Sequence, residues 1–153
     1  MNETSNSIFG KVFWTTLLIK QNEHHRYGVF LHTLKVTWGA IKDGQFRFIV
    51  PALLHDIGKP VVAYQKPKDI PMKTYSFTDH EEKSYLMVKS WFFLSDWTKD
   101  MIRYHYLIRD ISKSKKENKL ERLERLEKSW AKLTPEFIED LEQFFIYDAY
   151  GKK

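Results

Sequence analysis

The chain has 153 residues, a net charge of +5, 42% hydrophobic and 16% aromatic residues, and no cysteine. That length suits one globular domain with a sizeable core, and the absence of cysteine excludes disulfides, thiolate metal ligands and a cysteine nucleophile. No apolar run approaches the roughly 18 residues of a membrane span, and the positive balance favours an anionic partner such as a nucleotide or RNA.

Residues 8–19 are apolar in patches, but no basic stretch precedes them and Glu3 is acidic, so no signal peptide is expected and the chain reads as cytoplasmic. Ser5 to Gln21 can form a first helix, weakened by Thr15 and Thr16. The polar break that follows carries His24 and His25, read as solvated rim residues because they lie on no apolar stripe. From Gly28 to Lys42 the pattern is helical, with Val29, His32, Val36 and Gly39 or Ala40 on one face, so His32 points inward.

Asp43-Gly44 is a turn signal. Phe46 to Ile57 then reads as a buried helix that ends in His55-Asp56. Pro51 either bends it or stands in the first turn of a helix starting near Val50. Gly58 lets the backbone turn sharply after the pair, and Lys59 brings a positive charge next to it. Between Lys59 and Phe77, Pro60, Pro67 and Pro71 together with four lysines make a basic loop, either a substrate flap or a surface connection.

Thr78-x-x-Glu81 reads as a capping box that puts His80 in the first turn of the next helix, continued by Leu86, Met87, Trp91 and Leu94. Ser95-Asp96 caps another helix with Met101, Ile102, His105 and Ile108 on one stripe. Residues 112–119 are lysine-rich, a loop or fraying helix end. Leu120, Leu123, Leu126, Trp130 and Leu133 mark an amphipathic helix, read as a solvated helix rather than an RNA-binding face. Pro135 opens the last helix, with Ile138, Leu141, Phe144 or Phe145, and Asp148 on its inner face. An acid at the end of an apolar stripe needs a partner, and a metal would provide one. The expectation is a single all-α domain over residues 1–153, of six or seven helices.

The inward polar residues are therefore His32, His55, Asp56, His80, His105 and Asp148, each at element-scale spacing. Imidazole nitrogen and carboxylate oxygen suit divalent first-row metals. Neighbours on a helix do not share a face, so His55 and Asp56 need not chelate one ion.

The order His … His-Asp … His … His … Asp resembles the HD-domain superfamily of metal-dependent phosphohydrolases, in its six-ligand, two-metal form, over about Arg26 to Gly151. The segments His55-Asp56-Ile57-Gly58-Lys59-Pro60 and Phe77-Thr78-Asp79-His80-Glu81-Glu82-Lys83-Ser84 look most like the HD domains of bacterial tRNA nucleotidyltransferases. No Gly-Tyr-Pro tripeptide is present, which argues against the cyclic-di-GMP branch.

The resemblance implies an HD helical bundle in which Asp56 bridges two divalent transition-metal ions (iron, manganese, cobalt, nickel or zinc). His32, His55 and Asp148 complete one position, and His80 and His105 the other. It also implies phosphatase or phosphodiesterase activity on a phosphorylated small molecule, nucleotide or RNA terminus, through a metal-activated water. Asp56 and Lys59 would be catalytic, and Lys59, Arg109 and Arg26 would bind substrate phosphates. Two rivals share the residues: a di-iron oxygenase such as myo-inositol oxygenase or the phosphonate-cleaving oxygenases, and a non-catalytic nucleotide-binding module. Gly58-Lys59-Pro60 and the basic charge favour hydrolysis.

Overall fold

The computed structural model describes Gln21 and residues 28–152. The expected helix over residues 5–20, the break with His24 and His25, and Arg26 lie outside the described residues. Eight α-helical segments are present among those described: α1 (Val29–Lys42), α2 (Ile49–Leu54), α3 (Lys59–Val62), α4 (His80–Val88), α5 (Asp96–Tyr104), α6 (Leu107–Lys116), α7 (Leu120–Trp130) and α8 (Pro135–Tyr150). The short α2 and α3 apart, six have nine or more residues, in line with the periodicity. The described residues contain no strand, only an isolated antiparallel bridge between Tyr64 and Ser76. None of these helices is long and apolar enough to cross a membrane.

α1 packs against α2 and α8, α2 against α5, and α4 against both α3 and α5. The core they enclose is Val36, Ala40, Phe48, Ala52, Met101, Leu141, Phe144 and Tyr147. Phe48 stands at its centre, 5.6 Å from the Trp97 ring, 5.8 Å from Tyr147 and 6.0 Å from Phe144 between centroids. Complete burial of such a ring contributes about 1.5–3 kcal/mol. Phe144 also touches the polar centre, its ring 5.7 Å from that of His55, so the inner-face choice at this turn of α8 is Phe144 and not the half-buried Phe145.

Local chemistry decides where the helices begin and end. Pro51 is the third residue of α2, where its missing amide costs no intrahelical bond, so the helix starts late instead of bending. Ser95 Oγ accepts from the Thr98 amide at 3.1 Å to open α5, and Thr134 Oγ1 accepts from the Phe137 amide at 3.3 Å to open α8 ahead of Pro135.

Three expectations need correction. The capping box does not form: Asp79 takes the N-cap of α4 with a left-handed φ of 56° and no capping bond, while the Thr78 hydroxyl bonds the Tyr64 hydroxyl. The helix expected to continue through Trp91 and Leu94 stops at Val88; its buried side is His80, Ser84 and Val88, and Leu86 is exposed. The stripe through Met101, His105 and Ile108 is not one helix, because α5 stops at Tyr104 and α6 starts at Leu107. Of the lysine-rich residues 112–119, 112–116 are the helix end, the last part of α6, whose lysines lie at the favourable negative end of the helix dipole, and 117–119 are the connection to α7.

Candidate metal centre

α2 and α5 end in the same way. The C-cap of α2 is His55, whose Nδ1 donates to the Ala52 carbonyl at 2.7 Å; the C-cap of α5 is His105, whose Nδ1 donates to the Ile102 carbonyl at 2.7 Å. Each ring takes the carbonyl three residues back and so competes with the helix for it. The same reach recurs at the start of α4, where His80 Nδ1 donates to the Phe77 carbonyl at 3.0 Å. Holding the proton on Nδ1 turns Nε2, with its lone pair in the neutral ring, towards one point.

That point is the Asp56 carboxylate. Asp56 lies in the non-helical turn between α2 and α3, which lets it share a direction with His55 as an unbroken helix would not. Oδ2 is 3.2 Å from His55 Nε2 and 3.4 Å from His32 Nε2. Oδ1 is 3.3 Å from His80 Nε2 and 3.9 Å from His105 Nε2. Asp148, near the end of α8, places Oδ1 3.0 Å from His32 Nε2 and 3.8 Å from His55 Nε2. All six residues singled out by their spacing thus converge, and all are buried.

Two glycines set this geometry. A Cβ at Gly58 would lie 2.6 Å from the His80 carbonyl oxygen and 2.6 Å from the Ser84 amide. Gly58 has an ordinary helical φ of −76°, so close approach to α4, not a sharp turn, is what requires glycine. Its amide donates to Ser84 Oγ at 2.9 Å. At Gly151 a Cβ would meet Val36 at 2.6 Å and His32 Nδ1 at 2.8 Å, so α8 ends hard against the His32 ring.

Charge is distributed to match. Burial alone would raise Asp56, but the Lys59 ammonium beside it helps hold the carboxyl well below its usual range. For Asp148, burial is outweighed by the His32 hydrogen bond and by Lys152. Burial lowers His32 and holds His105 well below the ordinary imidazole value. Ionised acids and neutral imidazoles are the protonation states a cation needs in its ligands.

Lys59 is buried, with Nζ 2.6 Å from Asp56 Oδ2 and donating to Gln21 Oε1 at 2.6 Å. It therefore holds Asp56 rather than standing apart from the pair. Lys152, which sequence reading missed, ion-pairs with Asp148 one turn away on the same face; the four-residue step between acid and lysine was the available signal. Glu81 was missed too: Oε2 lies 3.2 Å from His80 Nδ1.

The donor set fits a divalent cation. His32, His55 and Asp56 offer atoms within 4.8 Å of one another, and so do Asp56, His80 and His105. Asp56 Oδ1, His80 Nε2 and His105 Nε2 are buried with no hydrogen-bond partner among the described residues, a costly arrangement unless something electropositive meets them.

From His80 the centre opens into a cleft of about 530 Å³, lined on one side by Lys66 and Lys68 of the 63–77 loop and on the other by Tyr106 and Arg109. The Tyr106 ring is 5.0 Å from that of His80, and the Arg109 guanidinium is 5.1 Å from the Tyr106 centroid. Arg109 thus stands at the mouth of the centre.

Compared with known proteins, residues 23–139 match the HD domain family. No curated protein and no solved structure matches the chain.

Proposed function

The chain belongs to the HD-domain family, a superfamily of metal-dependent hydrolases, and from that premise we propose that it is a phosphohydrolase acting on a nucleotide or an RNA terminus. The observation that carries the reading is the Asp56 carboxylate, which turns one oxygen to His32 and His55 and the other to His80 and His105. With Asp56 common to both sets, His32, His55 and Asp148 would hold one divalent ion and His80 and His105 a second. Imidazole-rich ligation favours iron, manganese, cobalt, nickel or zinc over magnesium. Bound metal supplies Lewis acidity and brings the pKa of a coordinated water down to about 7.

The chain's own residues supply the rest. The Ala52, Phe77 and Ile102 carbonyls fix three imidazole tautomers. Lys59 and Lys152 orient the two carboxylates and offset their negative charge. Phe144 closes the inner wall against water. Arg109 at the mouth is positioned to bind phosphate oxygens with its planar fork, and Tyr106 beneath it keeps its proton, because burial raises its pKa. The nucleotide or RNA part rests on the net charge of +5 and on the likeness around His55 and His80 to the HD domains of tRNA nucleotidyltransferases.

The test is elemental analysis of the full chain, then reconstitution with each transition metal and a panel of mononucleotides, 2′,3′-cyclic nucleotides and RNA ends. Phosphoester cleavage that disappears in Asp56→Ala is expected. Oxygen consumption by the iron-loaded protein, with no ester cleaved, would replace the hydrolase by the oxygenase.

A further inference from the structure

The cleft that leads away from His80 is longer than a single phosphate requires, and its charges are arranged unequally. On α6, Arg109, Ser112, Lys113 and Lys116 follow at steps of three, one and three residues, so they share one face, and all four line the cleft. From Arg109 to Lys116 the face runs about 10 Å at 1.5 Å per residue. Lys66 and Lys68 line the cleft from the loop.

Five carboxylates also line it, but four are engaged. Asp110 accepts from Arg122 at 2.7 Å, Glu117 pairs with Lys119 at 2.6 Å, and Glu81 faces His80. Asp69 is buried and holds the loop shut, accepting from the Lys66 amide and from Ser76 Oγ, both at 3.0 Å. Asp79 alone makes neither a side-chain hydrogen bond nor an ion pair among the described residues. By contrast Lys66, Lys68, Arg109 and Lys116 pair with no carboxylate among the described residues, and the three lysines are exposed. Asp69 explains part of this asymmetry: it turns the loop's own acid inward while the lysines beside it point out.

We propose that this cleft is a track for a single-stranded oligonucleotide. Its terminal phosphoester lies at the metal centre, and the phosphates behind it run along the α6 face between Arg109 and Lys116 and the loop lysines. The proposal rests on the reading of the centre given above and extends it from a reacting group to a substrate class. A row of point charges on exposed, flexible lysines grips a backbone without reading sequence, and Phe77 and Tyr106, both in the cleft near His80, give the end base a ring to stack on.

The full-length, metal-replete protein should be titrated with a fluorescein-labelled single-stranded octaribonucleotide and, separately, a labelled mononucleotide, by anisotropy across a range of salt. The octamer is expected to bind at least about tenfold tighter, with affinity falling on a log–log salt plot at about −0.7 per phosphate contacted. Combined Lys66→Ala, Lys68→Ala and Lys116→Ala, all at exposed positions, should reduce that slope by about 2 and move mononucleotide affinity by less than about threefold. Equal affinity for the two ligands overturns the track, even where the protein cleaves mononucleotide esters. Inorganic tripolyphosphate matching the octamer as a competitor overturns the strand in favour of a compact polyanion. If octamer binding and its salt slope are found but no ester is cleaved with any metal, the track stands and the hydrolase reading falls.

Discussion

Two buried aspartates stand about two turns apart on α8, on either side of Phe144, and they solve the same problem in opposite ways. Asp140 is met by donors that cannot lose their protons in the working range. Arg47 grips both oxygens, one guanidinium nitrogen lying 3.2 Å from Oδ2, and Trp97 Nε1 donates to Oδ2 at 2.9 Å. Every lone pair worth using is taken, and the group ties α8 to α5 and to the segment before α2. Asp148 is met by His32 and His55, whose nitrogens can either donate or present a lone pair, and by the ammonium of Lys152. Burial of an acid therefore does not mark a ligand. What marks one is a surrounding of nitrogens able to share a cation with it.

The sharpest way to break this contrast is to truncate the two acids and compare. Asp148→Ala is expected to lower bound metal and to cut phosphoester turnover by more than about 100-fold, beyond the 10–100-fold typical of groups that merely support a ligand. Circular dichroism should stay helical, because Lys152 can swing towards solvent. Full metal content and activity in this variant would take Asp148 out of the centre.

Gly58→Ala comes next, and it acts through position alone. A methyl group 2.6 Å from the His80 carbonyl and the Ser84 amide must push α4 away, at a cost of about 1–3 kcal/mol for overpacking. A misplacement of about 1 Å at His80 should reduce turnover about 100-fold. Ser84→Ala removes the acceptor of the Gly58 amide without adding bulk, and should weaken folding by about 1 kcal/mol while retaining most activity. Equal losses in the two variants would mean that space at Gly58 is not the determinant.

Asp140→Ala should do the reverse of Asp148→Ala. It leaves the Trp97 N–H without its acceptor, and the expected loss is about 2 kcal/mol of stability in urea unfolding, kept modest because the Arg47 side chain is 55% exposed and can rehydrate. Turnover per folded molecule should not change.

The contrast also measures what the sequence could reveal. Helical periodicity turns His32, Asp148 and the core residues inward, and those positions follow from spacing alone. Asp140 shares the inner face of α8 with Asp148, so the pattern marks two acids there; only the tertiary position of Arg47 and Trp97 tells them apart. Gly58 and the Thr78–Glu81 pair have the right residues for a turn and a cap, yet contacts with another element override both local readings: α4 packs on Gly58, and Tyr64 takes the Thr78 hydroxyl. The helix end at His55 was legible from Gly58 and Pro60 behind it, but the break at His105 was not, because it depends on a side chain bonding its own backbone, which no apolar stripe records.

The smallest predicted effect tests the electrostatics of the centre in the metal-free protein. His32 and His105 lie below the usual imidazole value in the fold, so as pH falls through about 6.5 the unfolded chain takes up their protons first. The unfolded state then binds more protons, and stability must rise with pH across this window. The depressed carboxyls of Asp56 and Asp148 add a loss of the same sign, but only below about pH 4, where the unfolded acids protonate first. Between about pH 8 and pH 5 the two histidines contribute a slope of at most about 2.7 kcal/mol per pH unit for two protons, opposed towards the acid end by Glu81, whose carboxyl is raised by burial. His105→Gln should remove up to half of it, and Asp140→Ala should leave it intact because no imidazole among the described residues faces that acid. If the slope survives unchanged in His105→Gln, burial at the centre is not what keeps this ring neutral.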